Sequence, residues 1–305
     1  MGFTNRAARL LCLAGLGALS APAWAIDCHK AGRPAEKLIC SDRGAVAADA
    51  ELNRAYAALL KQAPDAQIRA MLVDSQRRWI EARNMRLEGL VSDPESLPDE
   101  KTPGAVAADL IRSRASEFKE RGKGDSLPRL IRVALSQREF RKQFTGGPYS
   151  GYETSCDVLP PDYKYYACFS TRHYQNDDRV CSTEEYWATG SVYVQRYVAK
   201  VVDNKPVPVA SCSYNGNDAS CPGSIDDDAR WNTGPKVKAP TYSSRPLPQL
   251  DGEVDDSDDH AWIKACLTDS GFPLSNPTKA GARLHAKRVG GSTRPLRAAL
   301  ACRWA

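Results

Sequence analysis

The stretch SVYVQRYVAKVVDNKPVPVASCSY, Ser191 to Tyr214, reads as an antiparallel hairpin. Val192, Val194, Val198 and Val202 interleave with Tyr193, Tyr197 and Val201, a β-branched and aromatic run with the period of a strand. Asp203-Asn204 before Lys205-Pro206 supplies the turn, and Val207-Pro208-Val209 onward to Tyr214 returns as the partner. Pro208 has no N–H to donate, which predicts an edge strand or a bulge. Upstream, Tyr163 to Ser170 reads as a further strand, and Tyr186 to Ala188 as part of the strand before the hairpin.

Outward from this β signal the composition changes near residue 123. Between residue 26 and that point the chain is rich in Ala, Leu, Arg and Glu, with only Tyr56 and Trp79 as aromatics before Phe118; most tyrosines, prolines and cysteines come later. Helix formers followed by β-branched and aromatic residues predict an α+β protein, a small helical hairpin or three-helix module ahead of a disulfide-stapled antiparallel β-rich region. The expected division is 26–123 for the helical module, 124–250 for the β-rich domain, and 251–305 for an acidic segment, short helix and basic tail packed on or extending it. With 42% hydrophobic and 26% charged residues the chain can form an ordinary core.

In the helical module Pro34 suits the first turn of a short helix reaching Cys40, because its missing N–H is unpaired there in any case. Leu52, Ala55, Tyr56, Leu59 and Leu60 follow the spacing of one buried helical face. After the break at Pro64-Asp65, Ile68, Leu72, Gln76, Trp79 and Arg83 form a second stripe, and Leu110, Ile111, Arg114 and Phe118 mark a third helix over about 105–121. The run from Ser92 to Gly104, with three prolines, reads as a loop.

Three blocks in this module, DCHKAGRPAEKLICSD from Asp27, DAELNRAYAALL from Asp49 and QRRWIEAR from Gln76, resemble the LprI-type lysozyme-inhibitor N-terminal domain, a small helical module of exported bacterial proteins. Cys28, Pro34-Ala35-Glu36, Ile39-Cys40, Asp49, Leu52, Tyr56, Gln76, Trp79 and Arg83 match its pattern, over roughly residues 27–121. The chain departs from it where the family carries two further cysteines: Arg86 and Ala107-Ala108 stand near those positions. The resemblance therefore implies a Cys28–Cys40 pair, the alternative being a link from one of them to the β-rich region. It also implies inhibition of lysozyme-like muramidases. The stripe of Gln76, Trp79 and Arg83 either touches a partner or anchors the core, with Gln76 and Arg83 bonding loop carbonyls or Asp49; the second suits so small a bundle better.

Residues 1–25 read as a secretory signal: Arg6 and Arg9, an apolar run from Leu10 to Leu19, and Ala23-Trp24-Ala25 as a cleavage site, so that the mature chain begins at Ile26 in the periplasm or outside the cell. The apolar run is too short to span a bilayer, which needs about 20 residues. Export makes disulfides the favoured state of Cys28, Cys40, Cys156, Cys168, Cys181, Cys212, Cys221, Cys266 and Cys302. No gap between them has the spacing of a zinc knuckle. Nine is odd, so one thiol is left over. Cys156, Cys181 and Cys221 are expected in loops of the sheet.

Charge separates late in the chain. Six of the nine residues from Asp251 to Asp259 are acidic, while no acid follows Asp269, and Lys279, Arg283, Lys287, Arg288, Arg294, Arg297 and Arg303 form a basic tail. Asp258-Asp259 suit the N-terminus of a helix from His260 to Ser270. Either the two charge blocks neutralise each other, or Asp255, Asp256, Asp258 and Asp259 form an exposed segment that engages a cationic partner such as lysozyme. Residues 117–142 carry eight basic against four acidic residues around a short helix from Leu127 to Leu135, capped by Ser126. They form either a solvated face or a weak contact with an anionic envelope surface.

Catalytic signatures are thin. His29, His173, His260 and His285 are scattered, with no nucleophile elbow, metal helix or phosphate loop, and no cofactor is implied. The basic tail lacks the interleaved aromatics of a nucleic-acid binder. The expectation is a binding protein and not an enzyme, inhibiting muramidases by stoichiometric association. The alternatives are a non-catalytic envelope interaction module and, third, a thiol hydrolase pairing the odd cysteine with His173 or His260.

Overall fold

The computed structural model describes residues 25–93, 97, 101–159, 165–216, 219–223 and 230–272. The stretch before Ala25 that reads as a secretory signal, Cys302, His285 and the basic tail lie outside the described residues.

Four helices build the first half: α1 Pro34–Ser41, α2 Arg43–Gln62, α3 Ala66–Ser92 and α4 Pro103–Glu117. Their starts follow from local chemistry. Pro34 and Pro103 occupy first-turn positions, while Asp42, Asp65 and Thr102 accept from Ala45 N (2.8 Å), Ile68 N (3.0 Å) and Ala105 N (3.2 Å). α2 turns Ala45, Ala48, Leu52, Ala55, Tyr56 and Leu59 into the core at helical spacing.

The fifth helix, α5 (Arg129–Arg141), differs from the one expected over 127–135. Leu127 precedes Pro128, and the residue before a proline is pushed out of the helical region, so the helix starts two residues later and Ser126 does not cap it. It then runs further, because Leu130, Ile131, Ala134, Gln137 and Phe140 are all buried on one side. Leu130, Ile131 and Ala134, with Leu250, join the same apolar cluster as Ile39, Leu52, Trp79 and Ile111. The helical core thus extends past residue 123 and takes in a residue from the end of the β-rich segment.

Five strands follow as an antiparallel meander in the order β1 to β5: β1 Gly151–Leu159, β2 Tyr165–Asn176, β3 Arg179–Ala188, β4 Ser191–Val202 and β5 Lys205–Asn215. The Asp203-Asn204 turn has φ of +49° and +56°, the double positive φ that matches the twist of a two-residue hairpin. Pro208 lies on the edge strand and also at a bulge, since Val198 faces Ala210 while Ala199 faces Pro208. β1 escaped the sequence reading because its middle is polar and alternately exposed.

α6 (His260–Thr268) packs on β2 and β3, closing a second cluster of Phe140, Tyr174, Cys181, Val198, Ala210, Ile263, Cys266 and Leu267. On the opposite face of the sheet the His173 ring lies 5.1 Å from that of Tyr242.

Four disulfides tie these parts: Cys28–Cys40 across α1, Cys156–Cys168 between directly opposed residues of β1 and β2, Cys181–Cys266 from β3 to α6, and Cys212–Cys221 at the end of β5. Cys156 and Cys181 lie within strands, not in the loops expected for them. Among the described residues no helix is long and apolar enough to cross a membrane.

Candidate functional site

The family-type residues of α2 and α3 converge inside the helical module. Trp79 is 1% exposed, and the Arg83 guanidinium lies 5.2 Å from its ring centroid. Arg83 faces Asp49 at 3.7 Å and donates to Asn84 Oδ1 at 2.8 and 3.1 Å. Burial pushes the Arg83 guanidinium down, against the pull of Asp49 and Glu36. Gln76 Oε1 accepts from Arg114 Nε at 3.5 Å, and Leu52 and Tyr56 belong to the core cluster. Side chains buried this way hold α2, α3 and α4 together, leaving no part of the Trp79 face for a partner.

The acidic segment is largely folded inward. Asp251 receives two hydrogen bonds from Arg78 at 2.8 and 2.9 Å. Glu253 takes one from Arg114 at 2.7 Å and another from Ser75. Asp256 accepts from Tyr152 at 2.6 Å, from Tyr174, and from His260 Nε2 at 3.3 Å. Burial alone would push the Asp256 carboxyl up, but these three donors bring it below its ordinary value. Asp259 bridges Arg172 (2.7 Å) and Arg196 (3.0 Å). Of the four candidate partner-binding residues only Asp255 and Asp258 are exposed, which corrects the expectation of a continuous exposed acidic segment. The neutralising cations come from α3, α4, β2 and β4 because an acid can be buried only beside a partner.

The histidines within the described residues have no free thiol beside them. Cys181 and Cys266, which flank the second core, are bonded to each other. His173 Nδ1 meets Ser182 Oγ at 2.7 Å, and the His260 ring stacks on Phe140 at 3.7 Å. Among the described residues no His, Cys, Asp and Glu cluster could hold a metal ion.

The basic run 117–142 is mostly spent in ion pairs: Lys119 with Glu51, Arg129 with Glu120, Arg132 with Asp125, Arg138 with Asp65 and Lys142 with Glu139. Arg121 and Arg141 have no carboxylate partner among the described residues: exposed Arg121 donates to the Ser126 and Lys119 carbonyls and to Gln62 Oε1, whereas Arg141 donates to the His173 carbonyl at 3.2 Å and to Gln249 Oε1 at 3.4 Å. The Arg141 guanidinium lies 4.2 Å from the Tyr174 ring centroid and 4.7 Å from that of Tyr152. It lines an open cleft of about 270 Å³ where the end of α5 meets Ser150, the end of β2 and Gln249-Leu250, and no acidic side chain lines that cleft. Sequence reasoning passed over this cleft because its parts, 67, 138–150, 174–175 and 249–250, come from four distant stretches. The only local signal was the basic run itself.

Comparison with known proteins agrees with the reading of the N-terminal half. The family model described as Lysozyme inhibitor LprI matches residues 28–118, under a third of the chain. No curated protein and no solved structure matches the chain.

Proposed function

We propose that this chain is an exported binding protein that inhibits lysozyme-like muramidases by stoichiometric association, without turnover. The observation that carries the reading is the match of residues 28–118 to the lysozyme-inhibitor family model. Four disulfides fit an oxidising compartment outside the cytoplasm, where such an inhibitor would meet its target. With the stripe of Gln76, Trp79 and Arg83 consumed in the core, the contact surface lies elsewhere, and Asp255 and Asp258 are the acidic candidates left on the surface for a cationic enzyme.

The test is a titration of the oxidised protein into lysozymes of several classes acting on bacterial cell walls. Saturating inhibition near one-to-one, weakened by salt, is expected, with Asp255→Lys and Asp258→Lys together slowing association. Inhibition that is undiminished by that double reversal removes the charge mechanism. No inhibition in any class favours the second reading, an envelope interaction module. That reading is supported by the same burial of the family-type residues, which makes the helical module a scaffold.

A further inference from the structure

Independently of the inhibitor reading, we propose that the cleft at the C-terminal end of α5 binds a sugar acid, whose carboxylate is received by Arg141 and Ser150. A guanidinium in a folded protein is ordinarily offset by a carboxylate. Arg141 is held instead by two tyrosine rings and two neutral acceptors, so its position is fixed while its charge is left for a ligand. The 3.4 Å contact to Gln249 is long, and it is the bond that an incoming carboxylate would displace.

The floor of the cleft carries a matching deficit. Ser150 is 4% exposed, and its Oγ, like Arg141 Nε, is buried with no hydrogen-bond partner. A buried polar group without a partner is a standing cost to the fold, and an anion reaching both would remove it. The cationic lining adds to the attraction. Arg138 and Lys142 also face the cleft, each paired to one carboxylate, and Gln67 brings in the first turn of the 27-residue helix α3.

Size and lining argue for a sugar over a bare anion. About 270 Å³ holds a single hexose-sized ring with room for its substituents, far more than an inorganic oxyanion fills. Around it stand the Gln67 amide and the half-buried Phe144 ring, suited to sugar hydroxyls and C–H groups, while the wall is held in place by internal bonds of Gln175 (from Tyr149 N and to the Asp177 carbonyl), Gln249 (to the Ser150 and Leu247 carbonyls) and Thr145 (from Asp177 N). A second hollow of about 200 Å³ shares Gln67, Gln249 and Leu250 and continues towards Asp74 and Arg78, so that a chain of sugars has somewhere to run.

The experiment is calorimetric titration of the oxidised protein with glucuronate and N-acetylmuramate, against glucose, acetate, inorganic phosphate and an N-acetylated tripeptide. The sugar acids are expected to bind, more weakly as salt rises, and glucose is not. Arg141→Gln should lower affinity about tenfold or more, the effect of losing a charge-assisted bond. Ser150→Ala removes a hydroxyl without a partner, so it should keep the thermal midpoint while lowering affinity severalfold, which separates binding from folding. Failure of both sugar acids to bind at millimolar concentration overturns the proposal, as does equal binding of glucose. Equal binding of acetate or phosphate shows an anion site with no sugar specificity, and tighter binding of the tripeptide makes it a peptide site; either outcome overturns the assigned ligand class. With the site established, tighter binding of a glucuronate trimer than of the monomer assigns the ligand to a polymer, and equal binding to the free sugar.

Discussion

The backbone nitrogen of Ile26 donates to Asp49 Oδ2 at 2.7 Å, and the same carboxylate faces Arg83 at 3.7 Å. Asp49 is 4% exposed, and the Ile26 side chain packs against the helical core. Cleavage after Ala25 would turn this amide into an ammonium, replacing a neutral donor with a charged one beside a buried acid. A protein beginning at Ile26 should therefore be more stable than one carrying an added Met-Ala, by on the order of 1 kcal/mol in urea unfolding. Asp49→Asn should abolish the difference. Equal midpoints for the two starting points would show that the nitrogen's charge contributes nothing.

A second buried pair joins the two halves of the chain. Arg114, fully buried on α4, donates to Glu253 at 2.7 Å and to Glu117 at 2.8 Å. Burial pushes both glutamates up, but only Glu253, with bonds from Arg114 and Ser75, ends below its ordinary value; Glu117 stays above it. Removing Glu253 leaves buried Arg114 with Glu117 as its one carboxylate and takes a charge-assisted bond from it and from Ser75. Glu253→Ala should cost about 1–3 kcal/mol, whereas Asp255→Ala, an exposed neighbour, should stay within about 0.5 kcal/mol. Similar midpoints for the two variants would mean that the 251–256 segment does not anchor the helices.

Gly252 lies where that segment crosses α5. A Cβ added there would sit 2.3 Å from the Leu130 carbonyl oxygen, a backbone atom that cannot swing aside. Gly252→Ala should destabilise by about 1–3 kcal/mol, as overpacking does. Gly89, within α3, has nothing within 4 Å of the same added atom. Gly89→Ala should stabilise by roughly 0.5–1 kcal/mol. The two changes should move the urea midpoint in opposite directions.

Acid sensitivity should centre on His173. Burial, with Arg141 nearby, lowers its pKa from 6.5 to about 4. Between those values the unfolded chain takes up a proton that the folded protein refuses. Stability is therefore full above about pH 6.5 and falls as the pH drops towards 4, by on the order of 3 kcal/mol. Asp65, held at about 2 chiefly by its hydrogen bond from Arg138, loses its contribution only below the ordinary carboxylate range, so the two windows do not overlap. His173→Asn should flatten the dependence between pH 6.5 and 4. An unchanged slope would assign it to other groups.

Much of the fold was legible in the sequence because the signals are local. Pro34, Asp65 and the Asp203-Asn204 pair act within four residues of themselves, and the helical stripes and the β4–β5 alternation record which side of an element is buried. Reading failed where the deciding partner is distant. β1 carries a polar face and was missed, and the basic run concealed one arginine, Arg141, whose surroundings differ from those of its neighbours.

From the sequence alone came the α+β order, the starts of α1, α3 and α6, the placing of Pro208 at an edge or bulge, and the resemblance that the family match over 28–118 bears out. Propensity, capping and periodicity are short-range, so one chain displays them without its fold. Tertiary structure alone decided that Cys181 pairs with Cys266 across 85 positions, that Asp256 and Asp259 turn inward while Asp255 and Asp258 do not, and that Arg141 and Ser150 share a cleft. Each of these depends on which distant groups become neighbours on folding, because a buried charge is tolerable only beside its partner and a disulfide forms only between sulfurs the fold brings together.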